Sequence, residues 1–227
     1  MDAAIAEAIR NGNVEALKQL LEKDSSLVKT TIDGKRTLLH VATDWPGHFP
    51  NNAAIVTVLI EYGAEVNAAC GGSHAETPLH WAASSDDVAV LDTLLDHGAD
   101  IEARGGVIGG GTPLADAVAF GQWRAARRLV ERGAQTTPWQ AAALGLMTRV
   151  TQCFAANVGP AHDEITNAFW CACHGGQLET AKYLLQHGAE LNWVGPNGLS
   201  PLAAASRSGA QELVEWLLHL GATSTKN

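Results

Sequence analysis

A Gly-Ala pair closes an apolar, helix-patterned stretch at Gly63, Gly98, Gly133, Gly188 and Gly221, with separations of 35, 35, 55 and 33 residues. This recurrence constrains the fold more than any other feature of the chain. The stretch 77–100, TPLHWAASSDDVAVLDTLLDHGAD, shows what recurs. Thr77-Pro78-Leu79-His80 begins a short helix, Val88, Leu91, Leu94 and Leu95 make one face of a second, and Gly98 stops it. Helices this short are marginal in water and cannot bury an apolar face alone. Each pair therefore needs neighbours of its own kind. The openings TLLH from Thr37, TPLA from Thr112, NAFW from Asn167 and SPLA from Ser200 supply them.

A period near 33 residues implies a quasi-linear array of helix pairs. The words TLLHVA, TPLHWAA and TPLADAV closely resemble those of ankyrin-repeat proteins. HVATDWPGHFP together with HAETPLHWAASSDD resembles a group of stand-alone bacterial ankyrin-repeat proteins. The resemblance implies an all-α ankyrin-repeat solenoid of about seven helix pairs with hairpin-like fingers. It also implies a non-catalytic scaffold without a cofactor, which binds a protein or peptide through fingers and first helices on a concave face. One domain over 1–227 is expected, with units near 1–30, 31–66, 67–101, 102–135, 136–157, 158–191 and 192–227.

The units differ in informative ways. The first lacks the TPLH opening, turns at Asn11-Gly12-Asn13, and offers Leu17, Leu20 and Leu21 for burial. The connector after it turns at Asp33-Gly34. The second unit is five residues longer than the third. Its surplus lies in Asp44-Trp45-Pro46-Gly47-His48-Phe49-Pro50-Asn51-Asn52, an extra loop because two prolines cannot continue a helix. Connectors 64–76 and 99–111 carry glycines that allow tight fingers. GGVIGGG lacks the GKS or GKT end of a phosphate loop. The gap of 55 conceals an irregular fifth unit, with helices over 136–144 and 147–156 and a connector over 157–166. Trp139 and Trp170 are expected where the third unit has His80.

Composition excludes several function classes. Net charge is -9, and 37–103 holds ten Asp or Glu and no Lys or Arg. That favours a cationic partner and opposes nucleic-acid binding. Arg124, Arg127, Arg128 and Arg132 share one second helix and read as salt-bridging groups. No apolar run reaches membrane-spanning length, and the start, MDAAIAEAIRNG, reads as an amphipathic helix. A cytoplasmic monomer without membrane association is expected. Cys70, Cys153, Cys171 and Cys173 have neither disulfide-scaffold nor CxxC spacing and read as small, half-buried hydrophobes.

The fifth, eighth and ninth residues after each opening point toward the groove. This selects Val41, Asp44 and Trp45; Trp81, Ser84 and Ser85; Asp116 and Phe120; and, further on, Gln140 and His174. Trp45, Trp81 and Phe120 beside Asp44, Glu76 and Asp116 would suit a Lys or Arg side chain or an amine. The partner-binding set is Trp45, Trp81, Ser84, Asp116, Phe120, Asp44, Glu76 and His174. Two other readings stay open: a small-molecule pocket near the fourth-to-fifth repeat junction, using Trp45, Trp81, Gln140 and His174, and a structural homo-oligomer. Ser84 or Ser85 with His80 and Asp116 assembles into a triad only on paper, with no GxSxG elbow, and no His spacing marks a metal site. His40 and His80 read as structural, bonding the neighbouring connector.

Overall fold

The computed structural model describes residues 2–155 and 159–224. Among them are fourteen α-helices and one two-stranded sheet. The chain divides into two compact units, Met1–Ala134 and Gln135–Asn227.

In the first unit, α1 (Asp2–Arg10) pairs with α2 (Val14–Lys23), and α3 (Leu38–Thr43) with α4 (Asn52–Glu61). Likewise α5 (Pro78–Ser84) pairs with α6 (Val88–Asp96), and α7 (Pro113–Ala119) with α8 (Trp123–Glu131). First helices stack in the order α1, α3, α5, α7, and second helices in the order α2, α4, α6, α8. The core lies between these layers, where Ile5, Ile9, Leu39, Ile55, Leu79 and Leu91 are fully buried. In the second unit, α9 (Pro138–Ala143) pairs with α10 (Met147–Phe154), α11 (His162–His174) with α12 (Leu178–Gln186), and α13 (Pro201–Ser208) with α14 (Gln211–His219). The longest gap between Gly-Ala pairs thus conceals an extra helix pair, α9 and α10, as the repeat pattern requires.

The openings work as helix starts. Thr112 Oγ1 and Ser200 Oγ accept backbone N–H groups three residues on, at 3.4 and 3.3 Å. The proline that follows occupies a position whose N–H would have no helical partner. The third residue after the cap then joins neighbouring repeats. His40 Nε2 lies 3.0 Å from Glu76 O, His80 Nε2 3.1 Å from Gly111 O, and Trp170 Nε1 donates to Leu199 O at 2.8 Å. Each carbonyl belongs to the residue just before the cap of the next unit. The indole nitrogen can only donate, which shows the role that both histidines play in their neutral, Nε2-protonated form.

Several sequence expectations need correcting. Gln140, not Trp139, holds the His80 position in the fifth unit: Thr137 N donates to Gln140 Oε1 at 2.8 Å, as Thr77 N donates to His80 Nδ1 at 3.1 Å. The capping geometry sets this register. The buried face of α6 is Val90, Leu91 and Leu94, with Val88 and Leu95 half-buried, because Asp87 caps the helix. Leu20 is likewise half-buried beside the buried Leu17 and Leu21. Helix α11 starts at His162, inside the stretch read as connector, with Asp163 and Glu164 in its first turn where acids suit the helix dipole. Residues 157–158 of that connector lie outside the described residues.

The fingers are shorter on β-structure than their name suggests. Strands β1 (Thr31–Ile32) and β2 (Arg36–Thr37) form the one described hairpin, with Asp33 and Gly34 at φ 57° and 66° in its three-residue turn, Asp33-Gly34-Lys35. The connector 99–111 folds back through Gly105 N to Gly110 O (3.2 Å) and Gly106 N to Gly111 O (3.0 Å) without forming strands.

Candidate partner-binding site

The inserted loop, residues 44–51, is braced on three helix pairs. Asn51 Nδ2 donates to Gly12 O at 3.0 Å, and Asn52 Nδ2 to Ala42 O at 2.8 Å. His48 N donates to Asp87 Oδ2 at 3.0 Å, while its Nε2 lies 3.0 Å from Ser85 O. The buried Asp87 also caps α6 through Val90 N at 3.3 Å. Gly47 packs so closely that a Cβ there would stand 2.8 Å from Ser85 Cβ. Trp45, on this braced loop, is 80% exposed.

Trp45 stands at an open cleft of about 230 Å³ lined also by Thr43, Asp44, Glu76, Trp81, Ser84, Ser85, Val107 and Phe120. Trp81 is half-buried, with its ring edge-on to His40 (centroids 5.0 Å apart, planes at 75°). A hydrogen bond links its indole N–H to the Glu76 carboxylate. Burial pushes the Glu76 pKa up, and that bond partly opposes the rise. Phe120, the C-cap of α7, is 49% exposed. The Ser84 hydroxyl is buried and has no hydrogen-bond partner. Six of the eight residues selected from sequence therefore line one cleft: Asp44, Trp45, Glu76, Trp81, Ser84 and Phe120.

Two do not. Asp116 is fully buried beneath the glycine-rich finger, not displayed beside the aromatics. Its Oδ1 accepts from Ile108 N at 3.2 Å, and the Val107 amide also donates to the carboxylate. Oδ2 has no partner, and a Cβ on Gly106 would stand 2.5 Å from it. Burial pushes the Asp116 pKa up to about 6, the two amides opposing it. His174 belongs to the second unit, where its ring stacks on Trp170 (5.4 Å, 23°). Asp44 reaches the cleft, but Arg36 Nη1 binds its Oδ2 at 2.7 Å, so it is not a free acid. Val41, also expected in the groove, is fully buried in α3.

Sequence reasoning placed Ser85 in the groove but missed Thr43 and Val107 as lining residues, and Arg36 and Asp87 as the groups that position the loop. Val107 had a signal: it and Ile108 are the apolar residues within GGVIGGG. Arg36 and Asp87 had none, since their partners lie 8 and 39 residues away.

The other chemistry considered resolves simply. His80 spends Nδ1 on Thr77 and Nε2 on Gly111, and the Asp116 carboxylate serves the finger amides, so these two and Ser84 form no triad. Among the described residues no group of three or more His, Cys, Asp or Glu could hold a metal ion, and no helix is long and apolar enough to cross a membrane. Gln140 is buried as a capping residue. All four cysteines are free; Cys171 and Cys173 are fully buried rather than half-buried, and burial pushes the Cys171 thiol up to about 12. Arg128 bonds Asp92 at 2.8 Å, and Arg132 bonds Asp92 and Asp96 at 2.7 and 2.6 Å, joining α8 to α6. Larger depressions of about 450 and 520 Å³, on the first helix pair and between it and the hairpin, have no aromatic lining.

The model for Ankyrin repeats (3 copies) matches residues 139–227, and the model for a single Ankyrin repeat matches 75–106. The chain belongs to the ankyrin-repeat family. A 52-residue stretch is 40% identical to the Ankyrin repeat and KH domain-containing protein mask-1 of Caenorhabditis elegans, covering 23% of this chain and 2% of that protein. The crystal structure of the human ASB11 ankyrin repeat domain superposes with a TM-score of 0.53 at 24% identity, over 98% of this chain and 86% of that one. That likeness concerns the fold. Within the ankyrin repeat, the TPLH histidine and the finger glycines are thereby explained as architecture. The insertion is an addition relative to the chain's own third unit, which lacks the five surplus residues.

Proposed function

We propose that the protein is a non-catalytic ankyrin module that binds a protein or peptide through the cleft between Trp45, Trp81 and Phe120. One observation carries this reading: an 80% exposed tryptophan is mounted on a loop that three helix pairs brace, beside two further aromatic rings. Exposed apolar area on a preformed surface lowers stability and solubility unless something covers it, and aromatic anchors in such places dominate interface energetics. Ankyrin repeats in general mediate protein–protein interaction, which agrees with this use. The volume supports a side-chain site over a small-molecule one, because about 230 Å³ falls below the range of roughly 300–1,000 Å³ usual for ligand pockets.

The test is affinity capture from the source cell with wild-type protein and a Trp45→Ala, Phe120→Ala double variant. Both side chains are exposed, so the variant keeps the fold, as circular dichroism would verify. A partner retained by the wild type and lost by the variant supports the cleft; equal retention refutes it. A cytoplasmic monomer accompanies this proposal. Cell fractionation and light scattering test that part, and a dimer dispersed by Trp45→Ala would replace the partner with a second copy of the chain.

A further inference from the structure

We infer that the cleft receives the ammonium head of a lysine side chain presented by the partner. This rests on the cleft being the contact surface, as proposed above, and it specifies what the cleft takes.

Three observations converge on a cation bearing N–H groups. Three aromatic side chains line a space large enough for one side chain, and ring faces attract cations. Trp81 is held in one orientation by the His40 ring beneath it and by Glu76 at its indole nitrogen, so that wall is preorganised. Glu76 supplies the anion. Its carboxylate lines the cleft, and no lysine or arginine among the described residues forms an ion pair with it, in contrast to Asp44, which Arg36 neutralises. The indole N–H uses part of the Glu76 acceptor capacity, and a carboxylate has roughly four lone-pair sites, so room remains for an ammonium donor.

Charge beyond the cleft points the same way. Between residues 37 and 103 the chain carries ten acids and no lysine or arginine, so a cation approaches down a favourable potential. A half-buried carboxylate such as Glu76 also regains, from an incoming ammonium, the charge partner that burial in the cleft denies it.

The experiment follows the seven tryptophan indole N–H signals of the ¹⁵N-labelled full chain by NMR. Three probes are titrated: Nα-acetyl-lysine methylamide, its norleucine counterpart with a methyl in place of the ammonium, and its Nε-trimethyl-lysine counterpart. The lysine probe is expected to shift the Trp81 and Trp45 indoles, assigned by Trp81→Phe and Trp45→Phe. It should bind about tenfold more tightly than the norleucine probe, the scale of a partly desolvated cation–π contact. It should also outbind the trimethyl probe, whose head cannot donate. Glu76→Gln keeps an acceptor for the Trp81 indole, and should weaken the lysine probe while leaving the norleucine probe unchanged. Equal binding of lysine and norleucine, or no shift of either indole, overturns the inference; tighter binding of the trimethyl probe overturns the role given to N–H donors. If these probes fail while a captured partner is still lost by the Trp45→Ala, Phe120→Ala variant, the cleft remains the contact surface and only the lysine assignment falls.

Discussion

Asp116 offers the sharpest test of the physical reasoning, because a carboxylate buried under a finger with one oxygen unpaired works against its own ionisation. Its pKa rises from 3.8 to about 6 on folding, a difference of roughly two units. At about 1.4 kcal/mol per unit, the ionised form costs the folded state about 3 kcal/mol at pH 7. Below pH 3.8 both folded and unfolded chains hold the proton, and the cost vanishes. Between there and about pH 6 the unfolded chain releases its proton first, so the stability due to this group falls as pH rises. Asp116→Asn keeps an acceptor for the Ile108 amide and cannot ionise. Its new amino group meets the unpartnered Oδ2 position, at a cost of about 1–2 kcal/mol for an unsatisfied buried donor. The net expectation is a variant more stable than wild type by about 1–2 kcal/mol at neutral pH. That advantage should shrink by about 2 kcal/mol on going to a pH near 4.5. The assay is urea denaturation followed by tryptophan fluorescence across that range, reading the difference between variant and wild type, in which the histidine contributions cancel. A difference independent of pH, or one that grows toward acid, would show that the native carboxylate titrates normally and would refute the account.

Other expectations follow from the same contacts. Burial lowers the pKa of His40 and of His80, so the stability each confers is complete above about pH 6.5 and declines as pH falls toward the folded value; His80→Ala should reduce this acid sensitivity in chemical denaturation while costing about 2–4 kcal/mol at pH 7.5, because the Gly111 carbonyl and the Thr77 amide lose their buried partner. Asp87→Ala removes the acceptor that His48 N, Asn52 Nδ2 and Val90 N share, and should cost about 2–3 kcal/mol and change the fluorescence of Trp45, while an unchanged denaturation midpoint would mean that the loop is held elsewhere. Gly106→Ala should destabilise the finger through its clash with Asp116 Oδ2, visible as faster hydrogen exchange at the Ile108 amide. Asp92→Asn should lower stability at low salt and much less at high salt, since its Arg128 and Arg132 partners are solvent-accessible.

The architecture was legible in the sequence because it is carried by local rules applied repeatedly. The TPLH openings, the Gly-Ala closures and the short apolar faces each specify a helix start, a helix stop or a buried stripe within about 25 residues. Even the degenerate fifth unit was readable, since Thr137-Pro138 caps it as Thr77-Pro78 caps the third. Counting from the opening also placed Trp45, Trp81 and Phe120 correctly at one cleft. The same counting failed for Asp116 and Val41, because helical phase states the direction of a side chain and not what stands above it. Whether Asp116 meets solvent depends on how the finger 105–111 folds back, and glycines leave that open until tertiary contacts close it. Nor could spacing reveal that Arg36 neutralises Asp44, or that Asp87 braces the inserted loop from the next repeat. The sequence by itself determined the repeating unit, its helix ends and its core. Only the tertiary structure decided which carboxylates remain available, because charge pairing and burial depend on neighbours that the repeat pattern does not encode.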